Sequence, residues 1–181
     1  MVLWDLILKP AGNYLKWIFN LKFYIKKIFK IVFVILVIGL IAIQFFNRPD
    51  KSTTADITPG HITKVLNVPS NVESILKRSC YDCHSNHTLW PWYTAVAPVS
   101  WLVADDVVKG RRKMNFSEWN KIPDSKKEAR LSEICEKINA DEMPLPQYLI
   151  IHGDAKLSQA DKDILCKWAE AEMKKMEESN P

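Results

Sequence analysis

Cys80, Cys83 and His84 fall within five residues in the stretch RSCYDCHSN. Two thiols and an imidazole at this spacing have four uses. Cys-x-x-Cys-His is the attachment signature of a c-type haem: the thiols add to the two vinyl groups as thioethers, and the next residue presents its imidazole to the iron. One helical turn between Cys80 and Cys83 matches the separation of those vinyls. A zinc site would need a fourth ligand, from His87 or Cys135, and no second ligand pair stands out in the chain. A thioredoxin-like dithiol belongs at the head of a helix in a βαβ unit, and no β pattern precedes this one. A plain disulfide is the remaining use. Haem attachment is the expectation, with one covalent haem c held through Cys80 and Cys83 and with His84 on the iron.

The residue on the opposite side of the iron decides what such a group does. Met143, His152, Met114 and His87 are the candidates. His87 lies only three residues past His84 and is poorly placed to cross to the far face. Met143 sits in DEMPLP, where two prolines stiffen the loop, and a thioether on a rigid loop suits a distal ligand. Met143 is therefore the expected second ligand, packing as a flexible apolar filler being its other use. Trp90, Trp92 and Tyr93 follow the motif closely and are expected at the cofactor, either walling its edge with polar hydrogens toward a carboxylate or packing in the core. Arg111 and Arg112 read as partners of those carboxylates, as a docking patch, or as a solvated charge cluster. Cys135 and Cys166 lie on apolar helix faces, and both a disulfide and a pair of reduced core cysteines remain open.

These residues need elements to hold them. From about Pro69 onward the sequence reads as helices between loops, with little strand signal. SNVESILKRSC has Ser70 and Glu73 as a capping box, with Val72, Ile75, Leu76 and Cys80 on one face. VSWLVADDVVKG is expected to stop at Gly110. NFSEWNKI is a short turn capped by Ser117. SKKEARLSEICEKI carries Leu131, Ile134, Cys135 and Ile138 at helical spacing. ADEMPLPQYLI is a loop broken by Pro144 and Pro146. The final helix opens on a Ser158–Asp161 capping box and turns Ile164, Leu165, Trp168 and Met176 inward. The prediction is an all-α domain of about four helices over residues 69–181, preceded by a polar linker over 47–68.

The N-terminal part differs in character. Residues 1–46 carry a net charge of +5, whereas residues 47–181 sum to −1. The basic balance thus belongs to the N-terminus, and the folded part lacks the footprint of a nucleic-acid-binding domain. Ile31 to Phe46 is free of charge and predicts a transmembrane helix over 30–46. All six lysines of this part, Lys9 to Lys30, precede the charge-free run, and residues 1–29 read as a basic amphipathic segment in contact with lipid. The positive-inside rule then expects a single-pass protein of a bacterial inner membrane, with the N-terminus cytoplasmic and the haem domain periplasmic.

CYDCHSNHTLWPWYTAVAPVSWL, GRRKMNFSEW, EMPLPQYLIIHGDAKLS and the closing tryptophan helix occur in this order over about Asn71 to Trp168. Together they resemble the haem-binding domain family of c-type cytochrome-like proteins of Bacteroidetes-type bacteria. That resemblance implies a monohaem domain related to class I cytochromes c, exported and membrane-anchored. With both axial positions filled, the expected role is passing single electrons to a redox partner protein or within a respiratory complex, not catalysis. A haem-based sensor or small-ligand binder, and a structural haem subunit of a larger complex, are the alternatives.

Overall fold

The computed structural model describes the backbone of residues 4–54 and 57–179, and the side chains of residues 16–54 and 57–178. The chain divides into two compact units, Met1–Arg48 and Pro49–Pro181. All regular structure among the described residues is helical.

The first unit is one helix, α1 (Trp4–Ile43), in which the basic and apolar stretches run on without a break. Lys9 and Leu15 of the expected amphipathic segment lie outside the described side chains. The transmembrane reading is corrected here: among the described residues no helix is long and apolar enough to cross a membrane. The helix ends at Ile43, so Gln44, Phe45 and Phe46 do not extend it. Its charge-free part, Ile31 to Ile43, rises only about 20 Å, against the roughly 30 Å of a bilayer's hydrocarbon core. Extending it backward takes in Lys30, Lys27 and Lys26. The single-pass topology and the inner-membrane and periplasmic placement rested on that span and fall with it.

The second unit holds α2 (Ile62–Val65), α3 (Ser70–Ser79), α4 (Tyr81–His84), α5 (Val99–Lys113), α6 (Asp124–Asn139), α7 (Pro146–Leu149) and α8 (Gln159–Ser179), with 3₁₀ turns at Trp92–Ala95, Phe116–Lys121 and Gly153–Ala155. Its core joins Val72, Ile75 and Leu76 of α3 to Leu131, Ile134 and Ile138 of α6 and to Leu165, Trp168 and Ala169 of α8. These apolar faces follow the 3.6-residue period of the sequence. Cys135 and Cys166 form a disulfide that ties α6 to α8. The capping box of α8 is present: Ser158 Oγ accepts from the Asp161 amide at 3.1 Å, and Asp161 Oδ2 accepts from the Ser158 amide at 2.9 Å.

Elsewhere the local readings need amending. Pro69 occupies the N-cap of α3, and Glu73 pairs with Lys77 at 2.7 Å in place of a capping box. Asn115, not Ser117, caps the Phe116–Lys121 turn, its Oδ1 accepting from the Ser117 amide. Part of the stretch read as linker belongs to the fold. Ile62 is fully buried and His61 nearly so. Gly60 lies so close to Asn120 that a Cβ there would collide with its amide, and the Gly60 carbonyl accepts from the Asn120 amide at 3.2 Å. Trp168 Nε1 donates to the Asn67 carbonyl at 3.0 Å, which closes the last helix over the end of that segment.

Candidate functional site

The motif stands at the end of α3. Cys80 leaves the helical path, and α4 then makes a single turn in which the His84 amide donates to the Cys80 carbonyl at 2.9 Å. That turn sets Cys80, Cys83 and His84 beside α5. The contact is close because of a glycine: a Cβ at Gly110 would stand 2.5 Å from the Cys83 carbonyl oxygen, well inside van der Waals distance. Gly110 does not end α5, as the sequence reading expected, since the helix continues to Lys113. It is the residue over which the motif packs.

His84 is oriented by its other ring nitrogen. Nδ1 donates to the Met114 carbonyl at 3.1 Å, in the residue that caps α5. This fixes the tautomer and leaves Nε2 as the coordinating nitrogen, the arrangement that holds metal-ligating histidines elsewhere. Burial lowers the His84 pKa, partly offset by hydrogen bonds to the Met114 and Gly110 backbone, so the ring is neutral near pH 7, as a ligand must be. Cys80 and Cys83 are not disulfide-bonded. Burial above all pushes both thiols up to about 12. Neither is therefore the ready thiolate that thiol–disulfide exchange requires.

Two clefts adjoin the motif, both open to solvent. They share Ser79, Cys80, His84, Lys113, Met143 and Pro144. The first continues over Met114, Phe116, Ile134, Ile138 and Leu157, and the second over Cys83, Gly110, Leu145 and Tyr148. The tertiary structure thus brings Met143, 59 residues from His84 in sequence, into the same clefts as the motif. Free thiols, an imidazole with a fixed tautomer, a thioether and an apolar lining of this extent fit a haem. Of the other candidates for the second ligand, Met114 lines the first cleft, on the residue whose carbonyl already holds His84. His87 packs edge-on against His61, with ring centroids 5.7 Å apart. His152 stacks on Tyr148 at 4.2 Å and lines a neighbouring pocket.

Trp90, Trp92 and Tyr93 stand outside the two clefts. Trp92 is 81% exposed, and neither it nor Trp90 lines the clefts. Trp90 lies under the Lys51 ammonium, 5.9 Å from the ring centroid. Tyr93 lines the neighbouring pocket with Cys83, Asp82 and His152, and its hydroxyl pairs with His152 Nε2. Pro91 is the N-cap of the 3₁₀ turn that carries Trp92 and Tyr93. Arg111 is also committed elsewhere, donating to the Ser85 carbonyl and Thr88 Oγ1, each at 2.9 Å. It pins the loop that follows the motif.

Several site residues were not singled out from sequence. Asp82 lies between the cysteines. Its Oδ1 accepts from the Leu89 amide at 2.9 Å and its Oδ2 from the Tyr148 hydroxyl at 2.7 Å. It therefore braces the motif against the downstream loop and α7. No local pattern marks Tyr148, Gly110 or Met114 for these roles, because each depends on a contact distant in sequence.

A search of the curated proteins and one of the solved structures returned no match. A family model described as a haem-binding domain matches residues 38–171, a range that contains the motif, both clefts and the disulfide. The match spans well over half of the 181 residues, and the chain belongs to the haem-binding domain family.

Proposed function

We propose that this chain is a monohaem c-type cytochrome that passes single electrons. The observation that carries the reading is the convergence of Cys80, Cys83, His84 and Met143 on adjoining clefts, with His84 held through Nδ1 by the Met114 carbonyl. Cys80 and Cys83 would hold the haem covalently, and His84 Nε2 and the Met143 thioether would take its two axial positions. A haem so bound supplies a one-electron ferric–ferrous couple, which methionine ligation raises in potential. The chain's own part is to keep the ligands in place and water away. Gly110 lets α5 close over Cys83, Asp82 braces the turn, and Phe116, Ile134, Ile138 and Leu157 supply an apolar wall. A fold related to class I cytochromes c accords with this ligand order, an N-terminal attachment helix followed by a methionine loop before the last helix. The electron donor and acceptor are then a redox partner protein or a respiratory complex.

The test is spectroscopic. Full-length protein produced with haem-attachment machinery is expected to carry one covalent haem, lost in Cys80→Ala/Cys83→Ala. The ferric protein is expected to show the long-wavelength sulfur-to-iron band, absent in Met143→Ala and retained in Met114→Ala. Wild-type protein that lacks the band and binds CO rapidly when reduced would refute the electron-carrier reading.

A further inference from the structure

Haem has two unlike edges. The vinyl groups that thiols capture lie on one side of the macrocycle, and its two carboxylates lie on the other. The clefts are unlike in a matching way. Cys83 lines the second but not the first, whereas Lys137 lines the first but not the second. Lys113 lines both. Cys80 also lines both clefts, so Cys83 is the thiol that tells them apart, and going from it toward the first cleft leads past Lys113 to Lys137.

The charges there favour Lys113 as an anion partner. Its ammonium pairs with Glu133 at 3.0 Å, and the same carboxylate also accepts from Arg130 at 2.5 Å. One anion thus serves two cations, and Lys113 retains capacity for another acceptor among its three N–H groups. Lys137 is held by Glu142 at 2.9 Å, with Glu136 at 3.8 Å. Both lysines are partly exposed, with 58% and 39% of their side-chain surface accessible, so their heads can turn toward a bound anion without unfolding a helix. Lys109, the first cation after the motif, lines the second cleft and is paired with Asp105 at 2.5 Å, and Arg111 is occupied by Ser85 and Thr88.

We infer that Lys113, with Lys137 beside it, receives the carboxylates of the haem. This rests on the haem reading above. It makes the end of α5 and the face of α6 the anionic-substituent side of the cleft, and it assigns a role to a charged rim that the ligand set alone leaves without one.

The experiment compares hemin with hemin dimethyl ester, which lacks both negative charges. Full-length Cys80→Ala/Cys83→Ala protein, in which binding is reversible, is titrated with each. Hemin is expected to bind about tenfold more tightly than the ester at low salt. The preference is expected to shrink at high salt, and to fall to about twofold in a Lys113→Met/Lys137→Met background. Most of that loss should appear in Lys113→Met alone, and Lys113→Arg should restore the preference. Equal affinity for hemin and its ester in the starting protein would overturn this inference and leave the haem reading standing. Failure to bind either porphyrin would count against the haem reading itself. A second arm uses the covalent holoprotein, where Lys113→Met/Lys137→Met is expected to lower the midpoint potential at low salt, because it removes cations that favour the reduced state. An unchanged potential there would also overturn the assignment.

Discussion

Gly110 and His61 each act on the fold through a close local contact. At Gly110 the missing Cβ is what lets α5 meet the motif, since the atom would stand 2.5 Å from a backbone oxygen that cannot rotate away. Gly110→Ala is expected to destabilise the protein by about 1–3 kcal/mol, the usual cost of overpacking, and to reduce the covalent haem recovered per chain. Chemical denaturation and a pyridine-haemochrome assay would check the two effects. His61 is nearly fully buried, accepts from the Thr63 amide at Nδ1, and has a pKa lowered chiefly by burial and secondarily by His87. A depressed histidine is protonated more readily in the unfolded chain. Stability is therefore highest above the unfolded value of about 6.5 and falls as pH drops below it toward the folded pKa, where the loss levels off. His61→Asn keeps an N-cap acceptor and is expected to flatten that limb in denaturant titrations between pH 7 and 5. At this scale the sequence announced the motif residues, because their spacing is local. It said nothing of His61, which was read as part of a linker.

The helices carry the next level. Their apolar faces were legible: Val72, Ile75 and Leu76, then Leu131, Ile134 and Ile138, then Leu165 and Trp168, all recur at helical spacing and all enter the core. Their ends were less so. α5 runs past its glycine, and Pro69 and Asn115 stand where other caps were expected. Whether a glycine stops a helix depends on what packs beside it, and that is not encoded in the neighbouring residues. The Cys135–Cys166 disulfide spans 31 residues and joins the wall of the first cleft, α6, to α8. From that loop length its removal by Cys135→Ala/Cys166→Ala is expected to cost about 3–4 kcal/mol, read as a lower denaturation midpoint under non-reducing conditions. The same pair should retain its haem at low temperature, since neither cysteine lines a cleft.

At the scale of the whole molecule, the division at Arg48 and Pro49 separates a single helix from the unit that contains the core and both clefts. A chain beginning at Pro49 is expected to fold, to take up haem and to show the same optical spectrum and midpoint potential as the full chain. A shifted spectrum or an insoluble product would show that α1 contributes to the haem unit. The membrane expectation failed at this scale for a reason of length. A charge-free run in the sequence counts residues, whereas a span counts helical rise, and α1 stops at Ile43 before the run does.

The sequence by itself determined what is local or periodic: the Cys80–Cys83–His84 signature, the all-helical character of the second unit, its apolar faces and the capping box at Ser158. It also singled out Met143, through the chemistry of a thioether on a proline-bound loop. Only the tertiary structure decided that Met143 lines the clefts of the motif, that Met114 holds His84 by a carbonyl, that Gly110 admits Cys83, and that Trp90 and Trp92 stand elsewhere. Helical period and ligand spacing act over a few residues along the chain, so they can be read in order. A cleft is made by residues tens of positions apart, and which of them meet is decided when α3, α6 and α8 bury their apolar faces together and α5 closes on α4.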